Sequence, residues 1–175
     1  MNNSQGTLTE EDLTHLRHCL ALAREALVAG DEPFGSILVD DLGEVLAEAR
    51  NRVNELNRLA HPEIELAHWA ADHLTPQQRR QTRMYTTGEH CPMCAAAHGW
   101  VGLGGIVYLS SARQLVQWLD ELGTPAAPIH FMPVQDIIAD IEVKGPASGE
   151  LLEEIRQLHR EYHAGRQPSL EDRER

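Results

Sequence analysis

The sequence predicts an α/β domain of three layers, α/β/α, built on a mixed sheet. Three observations carry that expectation. An amphipathic helical stretch opens the chain. Two strand-like runs separated by Asp40-Asp41-Leu42-Gly43 form a hairpin. After residue 62, strand-like and helix-like segments alternate, which argues for parallel strands joined by crossover helices.

Each element follows in order. Residues 1–8 are polar and are expected to form a flexible N-terminus. Thr9 has the chemistry of an N-cap, and Glu10, Glu11 and Asp12 suit the positive end of a helix dipole. Leu13, Leu16, Leu20, Ala23 and Leu27 recur at helical spacing up to the terminator Gly30, so the first helix runs from about Glu10 to Ala29. Cys19 falls near its apolar face, as a buried inert thiol would. Phe34 to Val39 and Glu44 to Arg50 are the hairpin strands, and Asn51 to Ala60 is a polar loop. Pro62 suits a first helical position, and Ile64, Ala67 and Ala71 mark an apolar face through about His73. Thr75-Pro76 begins a polar connection. Met84 to Thr87 is the third strand, Pro92 to about Trp100 a helix, Ile106 to Leu109 the fourth strand, and Ala112 to Leu122 a helix closed by Gly123. Ile129 to Met132 is placed as the fifth strand. Glu150 to His163 is the last helix, with Leu151, Ile155 and Leu158 inward. The domain therefore spans 9–163, and the polar tail 164–175 is expected to be disordered.

Bulk properties exclude several classes. Asp and Glu number 27 against 15 Lys and Arg, a formal net charge of -12, which argues against nucleic acid as partner because phosphate binding needs a basic footprint. Arg79, Arg80 and Arg83 are the closest approach to one. Three cysteines, two of them as Cys91-x-x-Cys94, do not form a disulfide framework. The N-terminus lacks the apolar core of a signal peptide, and no apolar run is long enough for a membrane span. A reducing, cytoplasmic setting follows as the expectation.

The chemistry concentrates in His61-Pro62-Glu63 and Cys91-Pro92-Met93-Cys94. One His and two Cys are a ligand set for Zn2+, and three protein ligands leave a fourth position for water, as in catalytic rather than structural sites. Both motifs sit at predicted helix starts, where the dipole and free N–H groups favour thiolates. Zinc lowers the pKa of its water to roughly 7, giving hydroxide at neutral pH. Glu63 is then placed to take the proton and pass it to a ring nitrogen and the leaving amine, the pattern of zinc nucleobase deaminases. The alternatives are a pair of buried thiols or a zinc knot, whose fourth ligand would have to be His90, His98 or Cys19.

At these residues the chain resembles the cytidine/deoxycytidylate deaminase superfamily, and within it the guanine deaminase and tRNA adenosine deaminase branch. The resemblance covers about Pro33 to Leu109 and includes Pro33-Phe34-Gly35, Ala49-Arg50-Asn51, His61-Pro62-Glu63, Thr87 to Cys94, and Ala97 to Trp100. It implies a cytidine-deaminase-like fold with a five-stranded mixed sheet, a homodimer or larger homo-oligomer with composite active sites, zinc held by His61, Cys91 and Cys94, and Glu63 as catalytic proton shuttle. Asn51 matches the asparagine that hydrogen-bonds the substrate base, though it also fits a loop-capping role. Phe34 and Trp100 match aromatic walls of the base pocket, and each equally fits core or dimer packing. Tyr162 fits packing better than a place in the site. The helix between the fourth and fifth strands implies that those strands are parallel.

Two residues depart from the family pattern. Pro62 replaces the usual Ala or Gly, whose backbone N–H bonds the substrate in many relatives; Pro has no N–H. His90 replaces the Pro before the first Cys, where it either tunes the thiolate, touches substrate or fills the space of the Pro. The function expected is hydrolytic deamination of a small nucleobase or nucleoside, a purine such as guanine, with release of ammonia. The alternatives are tRNA adenosine deamination, deamination of cytosine or another amino-substituted heterocycle, and a non-catalytic zinc-stabilised binding module.

Overall fold

The computed structural model describes residues 7–164. The expected N-terminus and tail lie largely outside that range. Of the first, Leu8 packs against the core; of the second, Ala164 closes the last helix.

Helix α1 (Glu10–Ala29) begins with a reciprocal capping box between Thr9 and Asp12 and ends on Gly30 at φ 89°. A strand pair follows, β1 (Gly35–Val39) and β2 (Val45–Arg50), antiparallel with a bulge at Leu38/Val39. Helix α2 (Pro62–His73) leads to a short helix α3 (Pro76–Gln81), then β3 (Arg83–Gly88), α4 (Pro92–Val101), β4 (Ile106–Ser110) and α5 (Ala112–Glu121). A 3₁₀ turn at Val134–Asp136 precedes β5 (Val143–Lys144) and α6 (Glu150–Ala164). The sheet order is β2-β1-β3-β4-β5. β1 runs antiparallel to β3, whereas β3, β4 and β5 are parallel. The five-stranded mixed sheet and the parallel β4–β5 pair are therefore as expected.

Period-two alternation divides the central strands between two layers. Ile37, Val39, Tyr85, Val107 and Leu109 face α1, α5 and α6, where they join Leu16, Leu20, Trp118, Ile155 and Leu158. Leu38 and Met84 face α2 with Leu66 and Ala70, and Ile106 and Tyr108 pack with Ala95 of α4. The α2 layer also receives Ser36 and Thr86, two buried hydroxyls beside Leu38 and Met84.

Three expectations are corrected. The fifth strand is Val143–Lys144, not Ile129–Met132. The expected segment is bracketed by Pro128 and Pro133, which have no N–H to give a ladder. Ile129 and Met132 are 47% and 41% exposed, and Phe131 and Met132 line a surface cavity with Val116. The connection after Thr75 contains α3, whose Thr75/Gln78 capping box and Pro76 are helix-start signals; it buries none of its side chains, so no apolar periodicity marked it. On α2 the buried stripe is Glu63, Leu66, Ala67 and Ala70 rather than Ile64, Ala67 and Ala71. That rotation puts Glu63 on the inward face. Among the described residues no helix is long and apolar enough to cross a membrane.

Candidate active site

The site forms where two helices begin. His61 is the N-cap of α2 and Cys91 the N-cap of α4, each followed by Pro at the first helical position, where its missing N–H costs nothing. Neither N-cap side chain makes a capping hydrogen bond, and both point into the space between the two N-termini. β3 delivers Cys91, and the first turn of α4 carries Cys94 alongside it.

His61 Nδ1 lies 3.8 Å from Cys91 Sγ and 3.7 Å from Cys94 Sγ. The three donor atoms lie within 4.8 Å of one another. Zinc bonds of about 2.0 Å to nitrogen and about 2.3 Å to sulfur at a tetrahedral angle imply an N···S separation of about 3.5 Å, so the triad fits Zn2+. Without metal, one of the three donors is ionised at neutral pH and two hold protons. The Cys94 thiol and the His61 ring pull the Cys91 thiol down to about 4 against the effect of burial. The ionised Cys91 and burial push Cys94 up. Burial works to lower His61, but Cys91, Glu63 and Glu32 outweigh it and push it up to about 9.

The residues suggested as a fourth ligand are engaged elsewhere. His90 and His98 are buried, with His90 Nε2 3.2 Å from His98 Nδ1 and His98 Nε2 3.1 Å from the Gly104 carbonyl oxygen. A carbonyl only accepts, so His98 carries its proton on Nε2 and takes the His90 Nε2–H at Nδ1. Burial holds both rings well toward the neutral form. His90 thus fills the interior behind the metal-binding turn and braces it to the α4–β4 loop. Cys19 is fully buried in the opposite layer, where burial raises its thiol.

Glu63 stands at the second position of α2, only 5% exposed. Burial raises its carboxyl above the ordinary range, with His61 and the Thr86 hydroxyl acting against that rise. Thr86 Oγ1 donates to Glu63 Oε1 at 3.1 Å, and Ser36 Oγ donates to Thr86 Oγ1 at 2.9 Å. Neither hydroxyl was among the expected site residues. The available signal was polar residues on the inward face of two buried strands, next to the helix that starts at His61.

Asn51 is fully buried after β2. Its backbone N–H donates to the Phe34 carbonyl at 2.9 Å, and its Oδ1 accepts the Val53 N–H at 3.0 Å. That second bond fixes the amide orientation and leaves Nδ2 as a buried donor with no partner among the described residues. Asn51 therefore caps its loop and keeps a donor in reserve. Phe34 is half-buried, edge-on to His159 with ring centroids 5.0 Å apart. A Cβ on Gly88 would lie 2.9 Å from Phe34 Cε1, so glycine at the end of β3 admits that ring. Trp100 is not brought to the cluster within one chain. It sits in the last turn of α4, remote from Cys91 and 91% exposed, which removes core packing as its role. Tyr162 is buried and its hydroxyl accepts from Asn54 Nδ2 at 3.1 Å, a packing role. Arg83 is paired with Glu142 at 3.0 Å, so the Arg79, Arg80, Arg83 group is partly neutralised.

Comparison with known proteins agrees with this geometry. The sequence model of the "Cytidine and deoxycytidylate deaminase zinc-binding region" matches residues 9–110. The chain is 30% identical over 149 residues to a Schizosaccharomyces pombe protein described as "Probable cytosine deaminase", covering 82% of this chain and 88% of that one. It is 29% identical over 152 residues to the tRNA-specific adenosine deaminase of Haemophilus influenzae, covering 85% and 81%. The solved guanine deaminase of Nitrosomonas europaea superposes with a TM-score of 0.64 at 23% identity, over 93% of this chain and 90% of that chain, a likeness of fold. The motif, the metal triad and these matches converge, and the chain belongs to the cytidine and deoxycytidylate deaminase family.

Proposed function

We propose that the protein hydrolytically deaminates a small amino-substituted heterocyclic base or nucleoside, a purine such as guanine. The observation that carries this reading is the three-ligand cluster. Among the described residues His61, Cys91 and Cys94 have no fourth protein ligand, and a buried carboxylate stands beside them. A structural knot would close the fourth position and would have no use for Glu63.

When bound, zinc supplies an acidified water and polarises the amino-bearing carbon of the substrate. Glu63 would take one proton from that water and deliver it to the ring nitrogen, then carry the second, from the hydroxyl added to the substrate carbon, to the departing amine. One C–N bond breaks, one C–O bond forms, and ammonia leaves. Asn51 Nδ2 is the donor offered to a base carbonyl or ring nitrogen. Phe34 supplies an apolar wall, and a homo-oligomer would give Trp100 a second chain to pack on. A reducing, cytoplasmic setting keeps both ligand thiols available. The net charge of -12 favours a small substrate over tRNA.

Cytosine is kept as a second substrate because the Schizosaccharomyces pombe relative bears that name and covers most of the chain. Ammonia release on guanine, cytosine, adenine, their nucleosides and a tRNA, with wild type beside Glu63→Ala, tests the reading. Zinc-dependent release from a base or nucleoside that Glu63→Ala abolishes supports it. Turnover of tRNA alone, lost at raised salt, would replace it with editing, and retained zinc with no turnover on any substrate with a binding module.

A further inference from the structure

We infer that Thr86 and Ser36 are positioning residues that lock one oxygen of the Glu63 carboxylate, so that only the other carries the transferred proton. This rests on the deaminase reading and assigns roles within it.

Ser36 and Thr86 are directly paired across β1 and β3, and both are fully buried. On the same face of those strands their neighbours are Leu38 and Met84, so the pair is a polar insertion in the apolar layer that faces α2. A buried hydroxyl without a partner is costly, which makes such a pair informative about what it serves. Here both hydroxyls are satisfied in one line that ends on Glu63, at 2.9 Å and 3.1 Å.

The direction of that line follows from its donors. Thr86 Oγ1 donates to Glu63 Oε1, so the single proton of the Thr86 hydroxyl points at Oε1. The Thr86 oxygen is then an acceptor, and the Ser36 proton must point at it. Chains of hydrogen bonds polarise one another, so Ser36 strengthens the grip of Thr86. One lone pair of Oε1 is thereby taken on the sheet side, and Oε2 is the oxygen left to receive the proton from water. A glutamate has three side-chain torsions, and proton transfer needs about 2.6–3.2 Å between heavy atoms. Pinning Oε1 from the sheet side holds Oε2 on the metal side within that reach.

Thr86→Val keeps shape and β-branching while deleting the hydroxyl, and Thr86→Ser keeps the hydroxyl. With the base that wild type turns over, Thr86→Val is expected to lower kcat about 10- to 100-fold, with KM and zinc content unchanged. Thr86→Ser is expected to recover most of that loss. Ser36→Ala should lose less, and Ser36→Ala/Thr86→Val no more than Thr86→Val alone, because Ser36 acts through Thr86. Crystal structures of zinc-loaded wild type and Thr86→Val supply a readout independent of turnover. Glu63 should hold one rotamer in the first and leave it in the second. A wild-type kcat in Thr86→Val, a loss that tracks zinc content, additive losses in the double variant, or an unmoved Glu63 would each overturn the inference. A wild type that turns over no substrate overturns the deaminase reading, and the Glu63 rotamer still decides this one.

Discussion

Cys94 Sγ lies 3.7 Å from His61 Nδ1, yet the two residues come from different helices and meet only because both helices start at the same place. Without metal, this pair holds protons that zinc must displace. His61 is pushed up to about 9 and Cys94 is raised, while Cys91 is already ionised at neutral pH. Zinc uptake at pH 7 is therefore expected to release roughly two protons per chain, and zinc affinity to fall as pH falls. Titrating zinc into metal-free protein in weak buffer with an indicator dye measures this directly. Release near zero would mean that the triad is not the ligand set. Cys94→Ser is expected to lose most of the zinc affinity and, with it, thermal stability.

Asn51 separates its two roles atom by atom. Oδ1 caps the Val53 N–H, and Nδ2 is the unpartnered buried donor. Asn51→Asp keeps an acceptor for Val53 and removes the donor; Asn51→Ala removes both. Asn51→Asp is expected to lower kcat/KM by at least the equivalent of about 1–3 kcal/mol, the cost of one lost hydrogen bond in a closed site, with a Tm close to wild type. Asn51→Ala should lose kcat/KM similarly and also lower Tm. Equal kcat/KM for wild type and Asn51→Asp would leave Asn51 as a loop cap alone.

The legibility of this chain in its sequence was uneven for physical reasons. The metal triad was readable because ligand chemistry and helix-start chemistry coincide at His61-Pro62 and Cys91-Pro92. α1 was readable to the residue because Thr9 and Gly30 are both strong caps. β5 was not, because two residues carry no periodicity, and its partner is set by β4 rather than by its own composition. Thr86 and Ser36 escaped because a hydroxyl in a strand has no meaning until its cross-strand neighbour and the facing helix are known. Glu63 was assigned by its motif, although the apolar pattern taken for α2 would have turned it away from the core. Trp100 matches a pocket wall by resemblance and equally fits core or dimer packing, and its 91% exposure at the C-terminal end of α4 removes only the core.

Pro62 is buried at the first position of α2, beside the site, and offers no N–H there. A substrate acceptor opposite it goes unpaired or takes a water. Pro62→Ala restores a donor without altering the metal ligands. The variant is expected to change the ranking among guanine, cytosine and adenine by about 5- to 100-fold, in favour of the base whose acceptor faces that position, with zinc content unchanged. Steady-state kcat/KM across the three bases is the measurement, and an unchanged ranking would show that position 62 does not contact the base.

His159 gives the fold a pH dependence of its own. It is buried between Phe34 and Trp118, its Nε2 has no partner among the described residues, and burial, helped by His163, lowers its pKa to about 3. In the unfolded chain a histidine titrates near 6.5. Between those values the unfolded state binds a proton that the folded state refuses, so stability rises with pH across that window and falls on acidification. From pH 7 to pH 5 the loss from His159 alone is about 2 kcal/mol. His159→Leu removes the titration and the orphaned nitrogen together. Urea unfolding at pH 7 and pH 5 is expected to show wild type losing about 2 kcal/mol more than His159→Leu between the two. Comparing the change with pH, rather than stability at one pH, cancels whatever the substitution does to packing. His90 and His98, buried neutral like His159, act in the same direction in both proteins and drop out of that difference. Equal losses in the two proteins would mean that water reaches His159 and that the ring protonates within the folded chain.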